Sequence, residues 1–271
     1  MIMPNNQESV ERSLTKKFKG PIYSQFLKAI TDFKLISDGD RIAVALSGGK
    51  DSLVLAKLFQ EFKRHGQVQF ELIFVTMDPG FKELYLAHHL ENCHNLGIDV
   101  IVQKSNIFNV AELLAKESPC FLCARMRRGF LYKVAQEHGC NKLALGHHFD
   151  DVIETTLLNI FYAGCYKTML PKVRAANYEG MEMIRPMYYV KENDITRFMN
   201  YNHLTTYDCG CRISDGIVDS KRKEIKKLIS QLRKNDINID INIFRSAQNV
   251  NLKAILGYHD DEKTTSFLDE Y

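Results

Sequence analysis

The sequence predicts an α/β fold: a parallel sheet with helices on both faces, led by a helical extension and closed by a helical cap. Three observations carry that prediction. Apolar strand-like runs recur at 42–46, 70–76, 98–102 and 142–146 with helical patterns between them, and such alternation builds parallel βαβ units. The first run passes directly into Ser47-Gly48-Gly49-Lys50-Asp51-Ser52, a turn leading into a helix. That helix carries Leu55, Leu58, Phe59 and Phe62, the one-sided spacing of a helix packed on a sheet.

Taken in order, residues 1–36 read as the leading helical extension, 37–190 as the α/β domain and 191–271 as a helical region. A fifth strand candidate, Met181 to Arg185, ends at Pro186. Beyond it Ile225, Leu228, Ile229 and Leu232 form a second apolar stripe on a helix whose outer face is basic. No internal repeat or low-complexity linker interrupts the chain.

A chain of 271 residues buries a large core without cross-links. Seven cysteines, no apolar leader and no apolar run near membrane-spanning length point to the cytoplasm, where cysteines serve as ligands or nucleophiles. No membrane partner is expected. The net charge of +3 is too small to announce nucleic-acid binding. Its distribution is uneven: Arg12, Lys16, Lys17 and Lys19 form one basic cluster and Lys221 to Lys227 another, each readable as a solvated helix face or as an RNA contact.

The turn Ser47–Ser52 has the composition of an anion site. Two glycines let backbone amides approach a phosphate, two serines add hydroxyl donors, and the following helix start supplies partial positive charge. It departs from the Walker loop, which needs a further upstream glycine that this strand lacks. The alternative is an ordinary serine-glycine turn. The Ser-Gly-Gly-x-Asp-Ser order resembles the PP-loop of the ATP pyrophosphatases, which implies ATP cleaved between its α and β phosphates.

Leu145-Gly146-His147-His148-Phe149-Asp150-Asp151 repeats the plan of strand end, glycine and helix start. Asp150 and Asp151 suit either capping of the helix amides or holding magnesium between phosphate oxygens. A hydrolytic metal centre would need ligands the chain does not supply. Asp78, just past the second strand run, reads as a turn aspartate or as a contact to ATP or metal. Pro119-Cys120-Phe121-Leu122-Cys123 places two thiols three residues apart at a helix start, with Cys209 and Cys211 as available partners. Four thiolates would close a zinc site; three would hold an iron-sulfur cluster with one iron vacant. A redox dithiol is the third option. Cys93, Cys140 and Cys165 read as small core residues.

Together, Ser47–Ser52, the 119–128 segment, the 146–154 segment and Arg185-Pro186 before a late cysteine resemble the tRNA-cytidine 2-sulfurtransferase family. The similarity extends through Asp32-Phe33, Gly39-Asp40-Arg41, Phe161-Tyr162-Ala163-Gly164 and Ser246 to Val250, and so covers most of the chain. The resemblance implies ATP-dependent exchange of a cytidine C2 oxygen for sulfur in the tRNA anticodon loop, at cytidine 32, with magnesium and a [4Fe-4S] cluster. It matches Cys120 and Cys123 to the first two cluster ligands; Cys209 is the preferred third, with Cys211 open because the chain has Cys-Gly-Cys there.

The same resemblance assigns ATP to Ser47, Gly48, Gly49, Lys50, Asp51, Ser52, Asp78, Gly146 and His147, and magnesium to Asp150 and Asp151. Chemistry falls to Lys50, Asp51, Asp150 and Arg127, with Arg128 beside it reaching phosphate or RNA. The implied partners are tRNA, a sulfur donor (a cysteine desulfurase or inorganic sulfide) and a second copy in a homodimer. Uridine thiolases carry further zinc-finger cysteines near both ends, and this chain has none before Cys93 or after Cys211, which favours cytidine. The competing readings are a uridine 2-thiolase, a ligase like lysidine synthetase, and a zinc-stabilised RNA-binding protein without catalysis.

Overall fold

The computed structural model describes residues 7–66, 68–81, 83–105, 107, 119–206, 220–260 and 263–270, the side chains of 119–124, 220 and 270 excepted. Its main sheet contains β1 (Arg41–Ala45), β2 (Glu71–Asp78), β3 (Val100–Lys104), β4 (Lys142–Ala144), β5 (Lys172–Arg174) and β6 (Glu182–Ile184). Their order is β3-β2-β1-β4-β6-β5. All neighbours are parallel except β5, which pairs antiparallel with β6. The sheet is therefore mostly parallel, with one antiparallel edge strand that the sequence pattern does not reveal. The connection from β1 runs to one side of the sheet and β4 lies on the other, so the order reverses between β1 and β4. At such a switch point the crossovers diverge and leave a crevice at the carboxyl ends of the strands.

The helices are α1 (Gln7–Thr15), α2 (Ser24–Asp32), α3 (Lys50–His65), α4 (Glu83–Asn95), α5 (Pro119–Glu137), α6 (Phe149–Ala163), α7 (Glu192–Tyr201), α8 (Ser220–Asn235) and α9 (Ile239–Ser246). Contacts divide the chain into two units: residues 1–151 with 170–218, and residues 152–169 with 219–271.

In the first unit the stripe of α3 is realised: Leu55, Leu58, Phe59 and Phe62 are all buried. Each such side chain contributes roughly 1.5–3 kcal/mol by leaving water, an upper bound because the unfolded chain is already partly collapsed. Residues 7–36 pack on this helix. Phe26 of α2 meets Phe59 and Phe62 edge-on at 5.6 and 5.9 Å, and Val10, Leu14 and Ile22 are fully buried. Behind them Lys57, almost wholly buried, donates to Glu11 at 2.8 Å and to the Leu96 carbonyl at 3.0 Å. Burial opposes the charge of Glu11, but hydrogen bonds from Arg64 and Lys57 outweigh it and hold its carboxyl at about 2.

In the second unit α8 buries Ile225 and Ile229 and leaves Leu228 and Leu232 partly covered, as its stripe predicts. Arg233 reaches Asp240 of α9 at 2.8 Å. The carboxyl region is not helical throughout. β7 (Gly257–His259) and β8 (Thr264–Ser266) form an antiparallel pair that no alternation in the sequence announces. Cys93 and Cys140 are buried, as expected, and desolvation pushes their thiols up to about 12 and about 11. Cys165 is only partly covered.

Candidate active site

Two strand-to-helix turns flank the switch point. β1 leads into α3 through Ser47-Gly48-Gly49, and β4 leads into α6 through Leu145-Gly146-His147-His148. Because Val44 pairs with Ala144, the two turns leave the sheet side by side.

The first turn is an open cradle. Gly48 has φ +84°, a backbone conformation that L side chains rarely adopt, and an added Cβ would meet the Tyr85 hydroxyl at 2.6 Å. That hydroxyl donates to the Ser47 carbonyl at 2.7 Å and fixes the turn from α4. Ser52 Oγ accepts from the Ser47 amide at 3.2 Å and donates to the Gly49 carbonyl at 2.9 Å, closing the loop on itself. Gly49 precedes the first turn of α3 in extended backbone and brings no side-chain cap. An uncapped helix start presents amide donors and the positive end of the helix dipole to an anion.

The second turn is charged and closed. His148, almost fully buried, stands among three carboxylates: its Nε2 lies 3.8 Å from Asp51 Oδ1, and its Nδ1 lies 4.0 Å from Asp150 Oδ2 and 3.5 Å from Asp151 Oδ2. The Asp151 carboxylate accepts from the His148 amide at 3.0 Å. The Asp150 carboxylate accepts from the Glu192 amide at 2.7 Å and so ties α6 to the start of α7. Gly146 leaves little room for a side chain, since a Cβ would sit 3.2 Å from the backbone of Asp51 and Ser52, which would have to give by a few tenths of an ångström. The glycine lets the start of α3 lie close against the second turn.

Lys50 and Asp51 join the two halves. Lys50 Nζ lies 3.2 Å from Asp51 Oδ2 and 3.0 Å from Glu192 Oε1. Burial opposes the lysine charge, but Asp51 and Glu192 outweigh it, and its pKa is raised. Burial pushes the Asp51 carboxyl up against the pull of His148 and Lys50. Asp51 Oδ1 is buried with no hydrogen-bond partner, which is costly for a carboxylate unless a donor or cation completes it. An oxygen of this kind beside Asp151 fits magnesium, which takes one or two protein carboxylates and fills its remaining positions with phosphate and water. Among the described residues no three side chains already form a metal cluster.

Arg185, at the carboxyl end of β6, is buried and donates from Nε to His147 Nδ1 at 3.4 Å. Burial and the nearby Arg128 charge depress it to about 10. Asp78 ends β2, and its Oδ1 accepts from the amides of Gly80 and Phe81 at 2.9 Å each, which orders the turn. Arg127 is half-buried on α5.

Cys120 and Cys123 occupy the first turns of α5, three residues apart in one helix. Cys209 and Cys211 lie outside the described residues. In chain order α5 lies between the carboxyl end of β3 and the amino end of β4, and β1 to β4 are parallel, so this crossover runs from the carboxyl ends of the strands, where the glycine turn lies, back to their amino ends. Glu192, Tyr85 and His148 join the site without having been singled out from the sequence. Tyr85 and Glu192 belong to no motif, His148 lies within the 146–154 segment without a role given to it there, and Glu192 reaches Lys50 across 142 residues.

Residues 19–208 match the family model described as a PP-loop domain. The chain is 39% identical over 261 residues to a tRNA-cytidine(32) 2-sulfurtransferase of Geobacter sulfurreducens, covering 92% of this chain and 95% of the relative. The enzyme of the same name from Syntrophotalea carbinolica is 41% identical over 231 residues, covering 84% and 88%. Among solved structures, the U34-tRNA thiolase NcsA from Methanococcus maripaludis with its [4Fe-4S] cluster superposes with a TM-score of 0.68 at 23% identity, over 87% of this chain and 80% of that one. At that identity the likeness establishes the fold.

Proposed function

The chain belongs to the tRNA-cytidine(32) 2-sulfurtransferases within the PP-loop enzymes, and on that premise we propose that it activates the C2 oxygen of cytidine 32 in tRNA with ATP and replaces it with sulfur. The observation that carries this reading is the uncapped, glycine-built cradle at the switch point, set against the buried acidic turn that follows β4.

Cytosine C2 is a poor electrophile, because its carbonyl is part of a delocalised ring and oxide is a poor leaving group. Attack of the C2 oxygen on the α-phosphate forms an O–P bond and expels pyrophosphate; later addition of sulfide at C2 breaks the C–O bond and expels AMP. The amides at the start of α3 and the glycine turn receive the departing pyrophosphate. Lys50 offsets its charge, leaving Glu192 to do so. Asp51 and Asp151 would hold magnesium between phosphate oxygens, while Asp150 keeps α7 in place through the Glu192 amide. His147, held by Arg185, and Gly146 line the approach of the nucleotide. Arg127 and Arg128, four and five residues beyond Cys123, are assigned to phosphate or RNA.

Cys120, Cys123 and Cys209, with Cys211 as the alternative to the last, would hold the [4Fe-4S] cluster, which when bound supplies sulfur in nucleophilic form at an iron without a protein ligand. The direction of the α5 crossover, from the carboxyl ends of the strands where the glycine turn lies, supports a common pocket. The test is Cys120→Ala purified without oxygen. It is expected to lose brown colour and thiolation while binding ATP as before; thiolation at the parent rate contradicts the assignment.

A further inference from the structure

Two basic clusters stand out in the sequence, and the structure treats them differently. On α8 three of the charges have partners on α6, Arg222 pairing with Glu154 at 2.8 Å, Lys226 lying 3.6 Å from the same carboxylate and Lys221 covering the Tyr162 ring at 5.1 Å, while Lys223 and Lys227 are exposed. Arg12, Lys16 and Lys17 are exposed and make no ion pair among the described residues.

These three line a cleft of 600 Å³ with Tyr201, Asn202 and His203 from the end of α7, and no acidic residue is among those that form it. Its floor is fixed. Ser13 Oγ donates to Asn202 Oδ1 at 3.0 Å, Asn202 Nδ2 donates to the Phe198 carbonyl at 2.9 Å, and Phe18 packs edge-on against Phe198 and Tyr201. Lys17 Nζ sits 3.6 Å from the centre of the half-exposed Tyr201 ring, so its charge is held at the cleft wall. His203 adds a further donor, presented from a left-handed backbone at φ 51°.

We propose that this cleft binds the phosphodiester backbone of the tRNA substrate. The inference rests on the sulfurtransferase reading, which supplies the tRNA; the cleft supplies where it is gripped. A fixed-floored, unneutralised cationic cleft is complementary to a polyanion and gains its affinity by releasing counterions. Its position agrees. α7 begins with Glu192, which touches Lys50, and ends at Tyr201, about 15 Å along the helix axis, a span an RNA strand crosses in a few nucleotides.

The test is tRNA binding across a range of potassium chloride concentrations, for the parent, for Arg12→Ala/Lys16→Ala/Lys17→Ala, and for Lys16→Arg/Lys17→Arg. The triple variant is expected to bind tRNA about 10- to 100-fold more weakly, with the slope of log affinity against log salt reduced by about 2–3. The arginine pair should keep both, and ATP binding should be unchanged throughout. Inorganic phosphate at millimolar concentration should compete poorly with tRNA; strong competition would mark a free-anion site and overturn the proposal. Parent-like affinity and slope in the triple variant overturn the cleft alone, whereas a parent that binds no tRNA overturns the substrate reading with it. If the triple variant proves unfolded by its thermal melt, Lys16→Glu decides by the same slope.

Discussion

The turns after β1 and β4 share one plan, a strand end, a glycine and a helix start, yet they are finished in opposite ways. In the first, serine hydroxyls close the loop on itself and the helix start is left without a side-chain cap. In the second, carboxylates are packed around His148 and bonded to nearby amides. One turn is prepared for negative charge arriving from outside, and the other carries negative charge of its own. Set side by side by the strand register, they make the site proposed above to take a triphosphate and the cation that accompanies it.

Asp51 breaks the pattern, because it is an acid in the first turn, and its substitution gives the largest expected effect. Asp51→Asn should lower AMP formation about 10²- to 10³-fold, the range for removing one preorganised charge-stabilising group. Stability should move the other way. Burial raises the Asp51 pKa in the folded chain, so the unfolded chain loses its proton more readily, and ionisation costs stability as pH rises above the ordinary carboxylate value of 3.8. The variant should therefore melt at or above the parent temperature at pH 7, with the advantage gone below about pH 4. A variant that makes AMP normally would show that the carboxylate has no part in the reaction.

Gly48→Ala tests the open turn. The left-handed backbone strains any side chain by about 1–3 kcal/mol, and the Tyr85 hydroxyl must also give up its place against the Ser47 carbonyl. Such a shift of the donors should reduce AMP formation about 10²-fold, with a raised apparent Kd for ATP by calorimetry. Unchanged ATP affinity would mean that the glycine serves only the fold.

Glu192→Gln is the mildest. It removes a partly exposed ion pair to Lys50, generally worth up to about 1 kcal/mol, and leaves the backbone amide that Asp150 binds. The expected change in the KM for ATP is less than about 5-fold. A much larger loss would give Glu192 a part in the chemistry itself.

The legible and the hidden parts of this protein differ in range along the chain. β1, β2 and β4 were readable because buried parallel strands are continuous apolar runs, and the glycine turn because its residues are contiguous. β3 lies two residues further on than its apolar run suggests, as Val100–Lys104 ends polar at Gln103 and Lys104. β5, β7 and β8 are three residues each, and pairing rather than pattern makes them strands. Gly146 was visible as a glycine, but its reason is the backbone of α3 lying against it. His148 stood in the quoted segment, yet only the fold brings Asp51 to its far nitrogen. Tyr85 and Glu192 carry no local signature.

The account turns on ATP being split to AMP by the glycine turn in step with sulfur reaching a cytidine. The most direct measurement is nucleoside mass spectrometry of tRNA alongside nucleotide analysis, using oxygen-free reconstituted protein with ATP, magnesium and a sulfide source. The account predicts 2-thiocytidine at position 32, with AMP and pyrophosphate formed in step with it. Release of ADP and phosphate, or AMP formed with tRNA that carries no sulfur, would contradict it.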